Sequence, residues 1–481
     1  MRRSLGAVAI ALVLTTTAAV SAAPVVFKET PELEPRVKSG GMPTVAQRLP
    51  SEPLIVDLKA AGRSPGKPGG VLRTLLSKEK DVRLLNTWGY ARLVGWTPEL
   101  QLKPDLLKSI EVNNGRVFTL RLRAGHKWSD GKPFTAEDFR YFWEDIATNK
   151  EVSPGGPPVE LLNGGEAPKV EIVDAQTVRY SWTKPNGRFI ASLAQARDPH
   201  IYRPAHYLRQ FHAKYADKGA LAAKVAQGKA RSWAQLHNRM DSMDNNDNPD
   251  LPTLQPWVPT TALPANRLVF KRNPFFHRVD AAGNQLPYID RIDVSIVDAG
   301  LVPAKSAAGD SDLQARGLAL ADITVLKANQ ARGGYKVVTW PIVKGSHVAL
   351  YPNLNASDGG WRKLMRDERF RRALSLGIDR SDINRALFFG LGLEGNNTVQ
   401  KASPLFNPEY LTANAVHDAK KAAALLDGIG LTNRNSEGTR LMADGRPLEL
   451  VVETAGEAKT EIDVLQLIAQ DRKSTRLNSS H

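Results

Sequence analysis

The sequence predicts a mixed α/β protein in two lobes. Three observations carry that prediction: a strand, turn and capped helix run together over residues 117–146, apolar alternation recurs along the chain between helical stripes, and 481 residues suffice for two or three cores. In the first of these, Phe118, Leu120 and Leu122 alternate with Thr119, Arg121 and Arg123, giving a half-buried strand. Asp130-Gly131 predicts a reversal, because glycine takes the positive φ that such turns need. Thr135, followed by Glu137 and Asp138, predicts a helix start: the hydroxyl accepts first-turn amides, and the acids favour the positive end of the helix dipole. Phe139, Phe142, Trp143 and Ile146 then fall at helical spacing.

The remaining elements follow in chain order. Residues 1–22 read as a signal peptide, with Arg2 and Arg3 ahead of an apolar run at 5–14 and the small-residue site Val20-Ser21-Ala22. That run is too short to cross a bilayer, which takes about 20 residues. Export without membrane insertion is therefore expected. Residues 23–68 are rich in proline, glycine and charge without sustained periodicity, and predict an extended or disordered lead-in. A strand opens the globular part at 69–76, and 170–182 reads as a hairpin turning about 174–176. Residues 207–240 are helical by composition, and 241–264 form a loop. Strands at 268–270 and 292–297 flank Asn273-Pro274-Phe275-Phe276, helices are predicted over 369–387 and 413–426, a strand over 448–453, and a helix from 460 to 470. This divides the chain into a first lobe, 69–270, with a small inserted subdomain at about 90–200, and a second lobe, 271–470.

Composition excludes several functions. The chain has no cysteine, so disulfides, thiolate zinc sites, cysteine nucleophiles and a lipid-bearing cysteine behind the leader are all ruled out. A free periplasmic protein is expected rather than a lipoprotein. Residues 471–481, DRKSTRLNSSH, match the translation of a common sequencing adapter residue for residue, so Gln470 reads as the last residue of biological origin. Without both ends, 60 basic and 49 acidic residues leave a charge of +11. That charge is dispersed, with no long basic run and no basic stretch interleaved with aromatics, so nucleic acid is not an expected partner. There is no G-x-S-x-G and no H-E-x-x-H, and residues 62–68 lack the spacing of a phosphate loop, so no enzyme is expected. His200, His206 and His212 recur every six residues, off any single helical face. Asp241, Asp244, Asp247 and Asp250 lack the glycine turn and closing glutamate of a calcium loop. Neither a metal nor another cofactor is expected.

Several ordered motifs carry a family resemblance. Phe118-Thr119-Leu120-Arg121-Leu122-Arg123 is followed by Lys127-Trp128-Ser129-Asp130-Gly131 and Pro133-Phe134-Thr135-Ala136-Glu137-Asp138-Phe139. Further on come Phe270-Lys271-Arg272-Asn273-Pro274-Phe275-Phe276, Asn284-Gln285-Leu286-Pro287-Tyr288-Ile289-Asp290-Arg291-Ile292 and Phe370-Arg371-Arg372-Ala373-Leu374-Ser375-Leu376-Gly377-Ile378-Asp379-Arg380. Over about residues 69–470 the chain resembles the family 5 extracellular solute-binding proteins, the oligopeptide-, dipeptide- and nickel-binding receptors of ABC importers. The resemblance implies a type II periplasmic binding protein fold, cluster C-like, with discontinuous lobes joined by hinge strands. It implies a monomer that closes on a peptide or other small-molecule ligand and docks on the permease subunits of an ABC importer. It places ligand contacts in the segment after the first strand, here Val82, Trp88 and Tyr90, and on a second-lobe strand carrying Tyr351 and Asn353. Residues 283–290 resemble a subgroup with sugar-binding members, so an oligosaccharide receptor is the alternative, and a periplasmic chaperone or sensory adaptor is the reading from another class. The family's acidic clamp for a peptide amino terminus, and the strands that return to the first lobe, lie beyond the helix that begins near Thr460. The C-terminal part is therefore expected to be missing, and the fragment to fold poorly.

Overall fold

The computed structural model describes residues 25–474 except 60, 61, 341, 343, 402 and 456–458, with nothing described for the side chains of 471–474. The predicted signal peptide and most of the adapter-like tail lie outside the described residues.

Four sheets organise the chain. A two-stranded sheet pairs β1 (Leu54–Val56) in parallel with β11 (Arg278–Asp280). The first lobe is built on a four-stranded sheet in the order β2-β12-β10-β9, from β2 (Val71–Leu76), β9 (Trp257–Pro259), β10 (Arg267–Arg272) and β12 (Arg291–Ile296). β12 runs parallel to β2 and antiparallel to β10, so Val294 faces Thr74 on one side and Leu268 on the other. Leu76, Val82, Leu85, Leu268, Phe270, Ile292 and Val294 form its core. Position 270/271 falls inside β10, and the pairing of β12 with β2 and β10 joins residues on both sides of it.

Between β2 and β9 the chain builds the inserted subdomain. Its sheet runs β5-β6-β8-β7, from β5 (Leu107–Asn113), β6 (Val117–Leu122), β7 (Lys169–Asp174) and β8 (Thr177–Ser181), beside the pair β3 (Val94–Trp96) and β4 (Leu102–Pro104). Phe118, Leu120 and Leu122 of β6 are buried as the alternation predicts, but Thr119 and Arg123 are buried too, the Arg123 guanidinium donating to the Asp105 and Glu52 carbonyls, so only Arg121 of the polar set is exposed. The predicted hairpin turns at 174–177, where Asp174 Oδ1 accepts from the Gln176 amide at 2.7 Å. The helix Ala136–Arg140 starts at Thr135, whose Oγ1 accepts from the Glu137 amide while Asp138 Oδ2 accepts from the Thr135 amide at 3.0 Å. It then widens into a π-helical turn, Tyr141–Ala147. The wider turn changes the buried stripe: Tyr141 is buried together with Ile146, whereas Trp143 is only half-buried.

Asp138 gives this subdomain a pH dependence. Its carboxylate is buried, accepting also from Trp128 Nε1 at 3.2 Å and the Ala205 amide at 3.1 Å. Burial pushes its pKa up to about 6, against backbone hydrogen bonds that pull it down. The folded state thus holds this proton more tightly than the unfolded chain, so the group's contribution is full below about pH 4 and lost as pH rises through about 6. The Asp138→Asn variant is expected to gain about 3 kcal/mol relative to the parent between pH 4 and pH 7. Urea unfolding at the two pH values checks this, and a pH-independent difference would refute it.

The lead-in departs from its prediction. Residues 25–59 carry two short helices, Glu34–Lys38 and Val45–Arg48, and β1, all docked on the first lobe. Arg48 is fully buried. It donates to Glu29 Oε1 at 2.5 Å, to the Pro43 carbonyl at 2.7 Å and to the Pro274 carbonyl at 3.0 Å. The Lys28 amide donates to the Gly283 carbonyl at 2.9 Å. Gly283 has φ +84, and a Cβ there would stand 2.0 Å from the Val26 carbonyl oxygen, so only glycine admits the strap.

The second lobe is helical among the described residues. Its helices include Val302–Ala308, Ile323–Gly333, Gly359–Arg366, Glu368–Leu376, Arg380–Phe388, Ala419–Asp427 and Lys459–Ser474. The helix predicted over 369–387 is two helices, because Gly377-Ile378-Asp379 breaks it and Asp379 Oδ1 caps the second by accepting from the Asp382 amide at 2.9 Å. Phe370, Ala373, Leu376, Ala422, Leu426, Leu431, Met442 and Leu448 form the main core here. The strand predicted over 448–453 joins no ladder, since β-propensity alone supplies no partner. Trp340, Tyr351, Phe389, Leu393, Leu405 and Val451 are exposed on this lobe.

The two lobes meet along the free edge of β2. The Arg73 amide donates to Asp312 Oδ2 at 2.7 Å, the Leu75 amide to Gln314 Oε1 at 2.9 Å, and Gln314 Nε2 donates back to the Leu75 carbonyl at 2.9 Å. The Asp312 amide also donates to the Arg73 carbonyl at 2.9 Å, so two side chains and one amide stand where another strand would pair.

Candidate functional site

The segment after β2 forms a 3-10 turn, Glu79–Arg83, and the helix Leu84–Gly89. Apolar spacing decides which side chains turn inward. Val82 is fully buried in the first-lobe core, and its carbonyl accepts from Asn246 Nδ2 at 3.1 Å. Val82 thus presents no side chain to a ligand. Trp88 sits on the opposite face, 46% exposed. Tyr90 ends the helix in the left-handed region at φ 46, with its hydroxyl donating to the Ala194 carbonyl at 2.7 Å and accepting from the Trp96 amide at 3.2 Å. Trp96 on β3 is exposed as well. A shallow recess lined by Ser242, Met243, Asn246, Asn248, Leu251 and Thr253 adjoins this turn, and Asn86 Nδ2 donates to the Met243 carbonyl at 2.7 Å.

On the second lobe, Tyr351 is 81% exposed and its hydroxyl accepts from Asn397 Nδ2 at 3.1 Å. Asn353 is exposed and closes a local turn, its Oδ1 accepting from the Asn355 amide at 3.0 Å. The strand expected to carry both is absent among the described residues, where 346–353 run without a ladder partner. Asn397 and Thr398, which no motif marks, lie beside this segment. Their loop comes close enough that a Cβ on Gly345 would stand 2.1 Å from the Thr398 carbonyl oxygen, and the run Gly395-Asn396-Asn397 was the available signal of a tight turn.

The structure therefore groups Val82, Trp88 and Tyr90 on the first lobe, and Tyr351 and Asn353 on the second. Among the described residues no hydrogen bond or ring contact joins the two groups. The attachment between lobes runs nearby, where Arg316 Nη2 donates to the buried Asp81 Oδ2 at 3.0 Å. The three spaced histidines have separate partners: His200 lies 2.8 Å from Asp244, His206 lies 2.7 Å from Asp130, and His212 lies 3.1 Å from the Asp145 carbonyl.

Mixed sheets and helices in two lobes are the architecture of a two-lobed periplasmic binding protein. Among solved structures, the oligopeptide-binding protein OppA superposes with a TM-score of 0.79 at 34% identity, covering 95% of this chain and 71% of that one. The chain belongs to the bacterial extracellular solute-binding proteins, family 5, whose middle portion matches residues 101–475. The periplasmic alpha-galactoside-binding protein of Rhizobium meliloti (strain 1021) is 27% identical over 450 residues, which is 84% of this chain and 59% of that protein. The periplasmic binding protein MelB of Agrobacterium fabrum C58, solved with stachyose, shares the fold with a TM-score of 0.65 at 21% identity, covering 94% of this chain and 70% of that one. The chain thus spans about 59% of the length of the first of these relatives. No helix among the described residues is long and apolar enough to cross a membrane.

Proposed function

We propose that this chain acts as a periplasmic receptor that captures a peptide or similar oligomeric solute between its lobes and delivers it to the permease subunits of an ABC importer. The observation that carries this reading is the placement of exposed aromatics, Trp88 on one lobe and Tyr351 on the other, in a chain whose family binds extracellular solutes. Closure is favourable because the solute touches both walls only when they meet. No bond is made or broken. In this reading the leader is cleaved, the mature protein is a monomer without a lipid anchor, and nucleic acid is not a partner.

The exposed indoles of Trp88 and Trp96 also favour an oligosaccharide, since flat indole faces stack on sugar rings. The likeness to the alpha-galactoside-binding protein supports the same alternative. Calorimetric titration with stachyose and, separately, with tri- to pentapeptides decides between the classes. Trp88→Ala is expected to weaken binding of whichever class is held by about tenfold or more. Turnover of either solute, or binding untouched by the substitution, would refute the proposal.

A further inference from the structure

The turn that presents Trp88 is organised around an arginine that solvent does not reach. Arg92 is 1% exposed, and its guanidinium is consumed by carbonyls. Nη2 donates to Asn86 at 3.1 Å and to Ala196 at 2.5 Å, Nη1 to Ala91 at 3.0 Å, and Nε to Gln195 at 3.0 Å. Asp198, equally buried, supplies the counter-charge with Oδ1 at 3.1 Å from Nε. The Arg92 amide donates to Asp105 Oδ2 at 3.0 Å, so the backbone is fixed as well.

These contacts converge on the end of the helix Leu84–Gly89. The Asn86 carbonyl that Arg92 holds also accepts the Tyr90 amide at 3.1 Å, which is the bond that closes the left-handed turn. The Tyr90 ring lies 5.4 Å from the guanidinium carbon. One cation thereby links the helix end, the Tyr90 ring and the 194–198 segment that receives the Tyr90 hydroxyl. Trp88 lies between two residues whose positions Arg92 sets.

We propose that Arg92 is the positioning residue of the solute-facing wall: it fixes residues 86–90 so that the Trp88 indole stands outward, and so sets solute affinity without touching solute. The inference rests on the proposed reading of Trp88 as a ligand contact. Arginine is required because its planar fork reaches several carbonyls at once, whereas lysine keeps the charge but offers donors from a single point.

Arg92→Lys tests this, with Arg48→Lys as a control at another buried arginine outside the wall. The Trp88 signal is isolated as the difference between each protein and its Trp88→Phe partner, read by emission and acrylamide quenching. Stachyose and a trialanine peptide serve as calorimetric probes. Arg92→Lys is expected to melt cooperatively, to alter Trp88 quenching, and to lose about tenfold in affinity for the probe that binds the parent. Arg48→Lys is expected to lower the melting temperature while leaving both readouts unchanged. If Arg92→Lys and Arg48→Lys behave alike in quenching and affinity, the proposal is overturned. If Arg92→Lys does not fold, Asp198→Asn replaces it: a shifted Trp88 signal supports the proposal and an unchanged one overturns it. If neither probe binds the parent, the quenching arm still decides the role of Arg92, and the failure belongs to the functional reading.

Discussion

Replacing Asp105 by alanine is expected to destabilise the protein by about 3–5 kcal/mol, because a buried carboxylate would vanish from beside the Arg278 guanidinium and the buried His277 imidazole. Oδ1 lies 2.9 Å from His277 Nε2 and 2.9 Å from Arg278 Nε, while Oδ2 accepts from Arg278 Nη2 at 2.6 Å and from the Arg92 amide at 3.0 Å. Its backbone carbonyl takes Arg123 Nε at 3.0 Å. This knot joins the strand pair β3–β4 to β11 and, through Arg92, to the turn bearing Trp88. Burial alone would raise the Asp105 pKa, but Arg278 and His277 override it and hold the carboxyl well below its usual range. With the folded pKa depressed, the stabilisation is present above about pH 4 and lost as pH falls towards the folded value. The gap between parent and Asp105→Ala should therefore be full at pH 7 and narrow in acid. Urea unfolding at pH 7 and pH 3 measures both, and a cost under about 1 kcal/mol at neutral pH would sink the account.

Arg48→Ala is expected to release the strap of residues 25–56 at a cost of similar size, about 3–5 kcal/mol, by leaving Glu29 and the Pro43 and Pro274 carbonyls without their donor. Burial opposes ionisation of Glu29, but the Arg48 hydrogen bond and charge prevail and lower its pKa. Hydrogen exchange follows the outcome directly: the Lys28 and Leu54 amides, which donate to Gly283 and His277, should lose protection before the β2-β12-β10-β9 sheet does. Retained protection at both amides would show that the strap is held by its apolar contacts instead.

What the sequence disclosed is what short-range chemistry determines. Thr135 with Asp138 and the Asp174–Gln176 turn each need only their own neighbours and are found where they were read, whereas the β6 alternation holds on its apolar side alone, because neighbouring elements cover Thr119 and Arg123. The strap was illegible because its elements are three to five residues long and its ordering contact, Arg48 with Pro274, crosses more than two hundred positions. The sheet partner of 291–296 was illegible for a related reason: nothing local there reveals a parallel partner at 71–76. At the candidate site, spacing could not tell that Val82 turns inward while Trp88 turns outward, since both lie in one short helical run. Nothing in the sequence marks Arg92, because the carbonyls that hold it come from segments up to 104 positions away.

Asp312 and Gln314, which follow the first helix of the second lobe, close the rim of β2 with two side chains and the Asp312 amide. A rim sealed in this manner depends on its cover: without Asp312 and Gln314 the amides of Arg73 and Leu75 would stand bare at a strand edge.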